Sequence, residues 1–99
     1  MYIRMTHFAV KPGHWEEALS LVRDQSVPKL EKQPGFLRLI LTGDEKTGKG
    51  VLITMWQSEE QALKYVHSHR VIDLVQPFID MAAEQPVMYG YNVLIDKEF

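Results

Sequence analysis

Cysteine is absent from the chain, and with it go disulfides, thiolate nucleophiles, iron–sulfur clusters and cysteine-based zinc sites. A charge surplus is missing too. The 11 basic and 13 acidic side chains give a formal charge of -2, too little positive charge to bind a polyanion by counterion release, so nucleic acid is not an expected partner. Nor is there a long apolar run at the start. The stretch MYIRMTHFAV carries a polar or charged residue every few positions. It therefore reads as neither a signal peptide nor a membrane span; no membrane partner is expected, and the cytoplasm is the expected location. Repeats, low-complexity tracts and linkers are lacking, and a chain of 99 residues leaves room for a single domain, residues 1–99.

What is present is a 45% hydrophobic content, enough for a core, and a clear alternation of strand and helix patterns. Tyr2 to Val10 is rich in apolar, aromatic and β-branched residues and stops at Lys11, Pro12 and Gly13. Trp15, Ala18, Leu19, Val22 and Ser26 then recur at helical spacing, with Glu16, Glu17, Arg23 and Asp24 on the other side. Pro28 predicts an end or kink near Val27, with Lys29 to Lys32 as a last irregular turn. After the breaker Gln33-Pro34-Gly35, the second strand is Phe36 to Thr42, the loop Gly43 to Gly50, and the third strand Val51 to Gln57. Ser58 has the position of an N-cap, with Gln61 as the partner of a capping box, for a helix running to about His67. A further helical stretch, Arg70 to Ala83, contains Pro77 as a site for a kink, and Val87 to Ile95 is the fourth strand. This βαββαβ order predicts an α+β, ferredoxin-like fold, an antiparallel sheet with helices on one face.

The strands are apolar on both sides, although helices cover only one face of such a sheet. Phe36, Ile40 and Thr42 fall on one side of strand two and Leu37, Leu39 and Leu41 on the other. In strand three, Val51, Ile53 and Met55 oppose Leu52, Thr54 and Trp56. A second copy packed sheet on sheet would cover the remaining face, so a homodimer is expected.

Four stretches, taken together with the element order, carry a family resemblance that spans nearly the whole chain: VKPG at Val10 to Gly13, QPGF at Gln33 to Phe36, TMWQSEEQAL at Thr54 to Leu63, and HSH at His67 to His69. On these the chain resembles the antibiotic biosynthesis monooxygenase-like (ABM-like) group of the dimeric α+β barrel superfamily. The resemblance implies a dimeric α+β barrel. It also implies, as one activity of the group, oxygenation of a small aromatic quinol or phenol without metal, flavin or other cofactor. Isomerase-like and non-catalytic small-molecule-binding members leave a second expectation open.

The resemblance directs attention to four residues. Trp56 stands where related enzymes place a tryptophan between sheet and helices, a position that equally suits a core aromatic closing the barrel. His67 stands where many relatives carry a histidine, and its imidazole is suited to take a phenolic proton at neutral pH. A solvent-facing histidine at a helix end is the simpler reading. His7 shares a side of strand one with Ile3, Met5 and Ala9 and is expected to be partly buried, either as a core histidine or as a polar contact to substrate. Tyr65 can offer a hydroxyl to the same ligand, as can Tyr89 and Tyr91, which share a face of strand four, although amphipathic tyrosines equally line interfaces without any ligand. His69 and Asp73, four apart, read as a surface pair. No metal site is expected, because His67 and His69 point about 200° apart on a helix.

Two neighbouring functions fail on the residues. Haem-degrading relatives combine an asparagine on strand one and a later helical histidine with the tryptophan; here those positions fall on Thr6 and near Val75. RNA-binding domains of the same strand order need aromatics after Lys-Gly on strand three, whereas Lys49-Gly50 leads into Val51 and Ile53.

Overall fold

The computed structural model covers residues 1–68 and 70–99, with side chains described except at residues 70–74. The expected His69 and Asp73 pair lies outside the described residues. The elements are β1 (Tyr2–Ala9), α1 (Trp15–Leu21), a π-helical turn (Val22–Ser26), α2 (Val27–Leu30), β2 (Phe36–Asp44), β3 (Lys49–Trp56), α3 (Glu59–Val66), α4 (Arg70–Ile79) and β4 (Val87–Asn92). All four strands pair antiparallel in the order β2-β3-β1-β4. The predicted α+β, ferredoxin-like order is the one observed.

Glycines explain the turns that carry the resemblance. Gly13 and Gly35 close VKPG and QPG at φ 84° and 81°, values that side chains with a Cβ rarely adopt. The second turn is tied to the start of α3. Ser58 Oγ accepts from the Gln61 amide at 3.2 Å and donates to Gln61 Oε1 at 3.2 Å. The Gln61 side chain in turn occupies the space that a Cβ on Gly35 would need. Two motifs far apart in sequence thus form one joint.

Pro28 does not end the first helical run. The helix continues to Leu30, and the irregularity comes before the proline, as the π turn. The wider turn loosens the spacing to the preceding carbonyls, with which a proline ring otherwise collides. The predicted loop Gly43 to Gly50 is shorter than expected: both strands continue into it, and Gly43 pairs with Gly50. These two glycines serve packing, since a Cβ on Gly43 would overlap the Trp15 ring and one on Gly50 would crowd the Phe8 ring and the backbone of β2. The helix expected to reach Ala83 stops at Ile79. Beyond it the chain turns back along the end of β1, with Lys11 N donating to Met81 O at 2.8 Å and Ala83 N to Ala9 O at 2.9 Å. Strand four ends at Asn92 rather than Ile95, and Leu94 and Ile95 are exposed.

The register assigns each strand residue to a face. Tyr2, Arg4, Thr6 and Phe8 of β1 share the helix side with Leu52, Thr54 and Trp56 of β3, whereas Ile3, Met5 and His7 share the open side with Val51, Ile53 and Met55. A bulge between Phe36 and Arg38 corrects the reading of strand two. Phe36 sits opposite Trp56 on the helix side, and Ile40 and Thr42 lie on the open side. One extra residue reverses the parity, which alternation alone cannot reveal.

Candidate functional site

The core beneath the helices is split in two. Tyr2, Leu30, Trp56, Ala62 and Tyr65 form one buried cluster at one end of the sheet. Val10, Ala18 and Met81, joined by Phe8, Trp15 and Phe78, form the other. Between them the helix side of the sheet is only part-buried, and its middle residues include Arg4, Thr6, Leu52 and Thr54. The strip thus sets polar side chains between two aromatic clusters.

Trp56 anchors the first cluster. It is 2% exposed, and its Nε1 donates to Thr54 Oγ1 at 3.1 Å, which satisfies the indole where water is excluded. The Tyr65 ring lies 5.5 Å from it, tilted by 32°, and Phe36 meets it edge-on at 5.2 Å. Burial raises the pKa of the Tyr65 phenol above its ordinary value, because the phenolate would be poorly solvated. At neutral pH Tyr65 therefore offers a neutral hydroxyl donor. Tyr2 closes the same cluster, and its hydroxyl lies over Gly90 of β4, where a Cβ would overlap it.

Of the four residues picked out in the sequence, the fold brings two together, Trp56 and Tyr65. His67 is the C-cap of α3, two residues beyond Tyr65, and is exposed. His7 stands on the other face. It is exposed where partial burial was expected, meets Tyr89 edge-to-face at 5.7 Å, and lines a shallow groove of about 350 Å³ with Phe8, Val51 and Val87. Tyr89 stacks in turn on Tyr91, also on the open face. His14 is part-buried at the start of α1, 3.2 Å from Glu17. Another groove, of about 240 Å³, lies between the β1–α1 turn and the hairpin tip, lined among others by Trp15, Glu16 and Thr47, remote from the Trp56 cluster.

Sequence reasoning overlooked Arg4. Its signal was parity: two residues from Tyr2 and four from Phe8, it shares their helix-facing side. Among the described residues, no group of three His, Asp or Glu side chains is placed to hold a metal, and no helix is long and apolar enough to cross a membrane.

The sequence profile of the family described as antibiotic biosynthesis monooxygenase matches residues 1–77. The chain belongs to that family. Solved structures agree on the fold of this ABM protein. One, from Nitrosomonas europaea and assigned to the antibiotic biosynthesis monooxygenases, shares 18% identity and a TM-score of 0.81, with 96% of this chain and 100% of that chain covered. A variant of SnoaB, a cofactor-independent oxygenase from Streptomyces nogalater, shares 13% identity and a TM-score of 0.76, with 96% and 94% covered. The ActVA-Orf6 monooxygenase of Streptomyces coelicolor, solved with the ligand nanaomycin D, shares 14% identity and a TM-score of 0.77, with 97% and 92% covered. At these identities the likeness establishes fold. No curated protein sequence matches the chain.

Proposed function

We propose that this ABM protein is a cofactor-independent monooxygenase acting on a small aromatic phenol or quinol. The observation that carries the reading is the part-buried strip of Arg4, Thr6 and Thr54 between two aromatic clusters, in a chain of this family. Trp56 and Tyr65 form the aromatic wall at one end, and the neutral Tyr65 hydroxyl directs a hydrogen bond at a substrate oxygen. His67 takes the phenolic proton. Among the described histidines His7 stands on the opposite face and His14 is bound to Glu17, which leaves His67 as the imidazole closest in sequence to this wall.

Triplet oxygen reacts poorly with closed-shell molecules. Loss of the phenolic proton gives an anion that can pass one electron to oxygen, and the aryloxyl radical and superoxide then combine at a ring carbon. Protonation by the imidazolium gives a hydroperoxide. Loss of water from it leaves a quinone, with one oxygen atom in the product and one in water, so no outside reductant is consumed. The protein's part is to hold the ring, orient its oxygen and accept and return one proton.

One observation favours a second reading, a binding or isomerase-like protein that uses the same strip. His67 is exposed and belongs to neither aromatic cluster. Oxygen uptake by the purified protein against a panel of quinols and polycyclic phenols, with His67→Ala as the matched control, separates the two. Uptake above the spontaneous rate that collapses in the variant supports the oxygenase. No uptake with ligand binding intact supports the binder.

The assembly in this reading is a homodimer. The open face exposes Val87 at 48%, Tyr89 at 48% and Tyr91 at 57%, beside the apolar Ile3, Met5 and Ile53. A second copy placed there removes this surface from water and encloses His7 in the interface.

A further inference from the structure

The four strands contribute one formally charged side chain to their helix-facing side, and it is Arg4. It belongs to β1, an interior strand, flanked by Thr54 on β3 and Gly90 on β4. A guanidinium on a part-buried interior strand loses hydration unless something polar meets it. The contact described for it is to the Met88 sulfur at 3.6 Å, a weak acceptor for a group with five donors. Its neighbours add donors. Thr54 already receives the Trp56 indole hydrogen, so its own hydroxyl hydrogen is left to give, and Thr6 lies one step further along the same face. Gly90 leaves the flank of Arg4 without a side chain, and the Tyr2 hydroxyl lies over that gap. Among the described residues, the strip thus gathers hydroxyls able to donate around a fixed positive charge.

We infer that Arg4 binds the ionised oxygen of an aromatic ligand, so that the strip selects a phenolate over the corresponding neutral ether. The inference rests on the reading of the strip as the ligand site and adds the charge state of what it takes. A fixed cation within about 4–6 Å lowers the pKa of a hydroxyl by about one unit or more. Arg4 then makes the substrate the better acid, while a separate base removes the proton. The planar fork also fixes the direction of the oxygen, which a point charge does less well.

The test uses 4-nitrophenol, whose anion is yellow, and 4-nitroanisole, its neutral methyl ether, with the wild-type protein, Arg4→Gln and Arg4→Lys. Calorimetry gives the affinities, and the phenolate band gives the apparent pKa of the bound phenol. The wild type is expected to lower that pKa by about one unit and to prefer the phenolate. Arg4→Gln is expected to abolish the shift and weaken phenolate binding about tenfold, with the ether bound as before; retained ether binding also reports an intact fold. Arg4→Lys is expected to keep part of the shift. A shift that persists in Arg4→Gln, or an equal loss of both ligands, overturns the proposal. Wild-type binding of both compounds without a shift retires the role of Arg4 and leaves the ligand strip standing, whereas binding of neither removes both.

Discussion

The Trp56 indole and the Tyr65 phenol lie with ring centroids 5.5 Å apart, one at the end of a strand and the other on the next helix. The Ser58 cap between them sets the direction in which α3 leaves the sheet. Packing of this helix on this strand therefore creates the aromatic wall of the candidate site. The same contact links stability to the proposed function.

Replacing Trp56 by alanine removes the most completely buried large side chain among the described residues and leaves a cavity among Tyr2, Leu30 and Tyr65. A loss of about 3–5 kcal/mol is expected in urea unfolding. A loss below about 1 kcal/mol would show that the cluster is not the core described here.

Tyr65 gives the fold an alkaline limit. Its pKa is raised by burial above the unfolded value of 10.0, so both states hold the neutral phenol below about pH 10. Above that pH the unfolded chain releases its proton first and stability falls as pH rises. Melting temperatures followed from neutral to alkaline pH are expected to drop more steeply in the wild type than in Tyr65→Phe. Parallel curves would contradict the assignment.

Gly90→Ala places a methyl group against the Tyr2 hydroxyl. Destabilisation of about 1–3 kcal/mol is expected, partly recovered in the double variant with Tyr2→Phe, which removes the first atom met. Additive losses in that cycle would mean that the two residues do not touch.

Ser58→Ala removes the acceptor for the Gln61 amide and the joint to the Gly35 turn. About 1 kcal/mol of stability is expected to be lost, seen as a lower urea midpoint at unchanged slope.

Met5→Asp places a charge in the middle of the open face. Light scattering is expected to give a dimer for the wild type and a monomer for the variant. A wild-type monomer at micromolar concentration would sink the proposed assembly.

The element order was legible because proline and glycine punctuate the chain at Pro12-Gly13, Pro34-Gly35 and Pro86. The faces of β1 and β3 were legible from strict alternation. Strand two was misassigned at Phe36 because a bulge adds a residue without any mark in composition. Gly43 and Gly50 read as loop because glycine permits turns, although here they admit the rings of Trp15 and Phe8. Pro28 reads as an end or a kink near Val27; the helix does not end there, and the irregularity is a π turn just ahead of it. In the candidate site, the family resemblance pointed to Trp56 and residue type to Tyr65, and the fold brings the two rings together. Arg4 carries no motif or spacing signal, and its place on the helix side follows only from its parity with Tyr2 and Phe8. The separation of His7 from Trp56 follows from the same parity.

The two tryptophans mark the two clusters that border the strip, which makes ligand position directly measurable. In a Trp15→Phe protein the remaining emission comes from Trp56. Titration with a naphthohydroquinone under nitrogen is expected to quench that emission saturably, along the same curve as the calorimetric binding heat. Calorimetric binding with Trp56 emission unchanged would place the ligand away from the helix-facing strip and contradict the site proposed here.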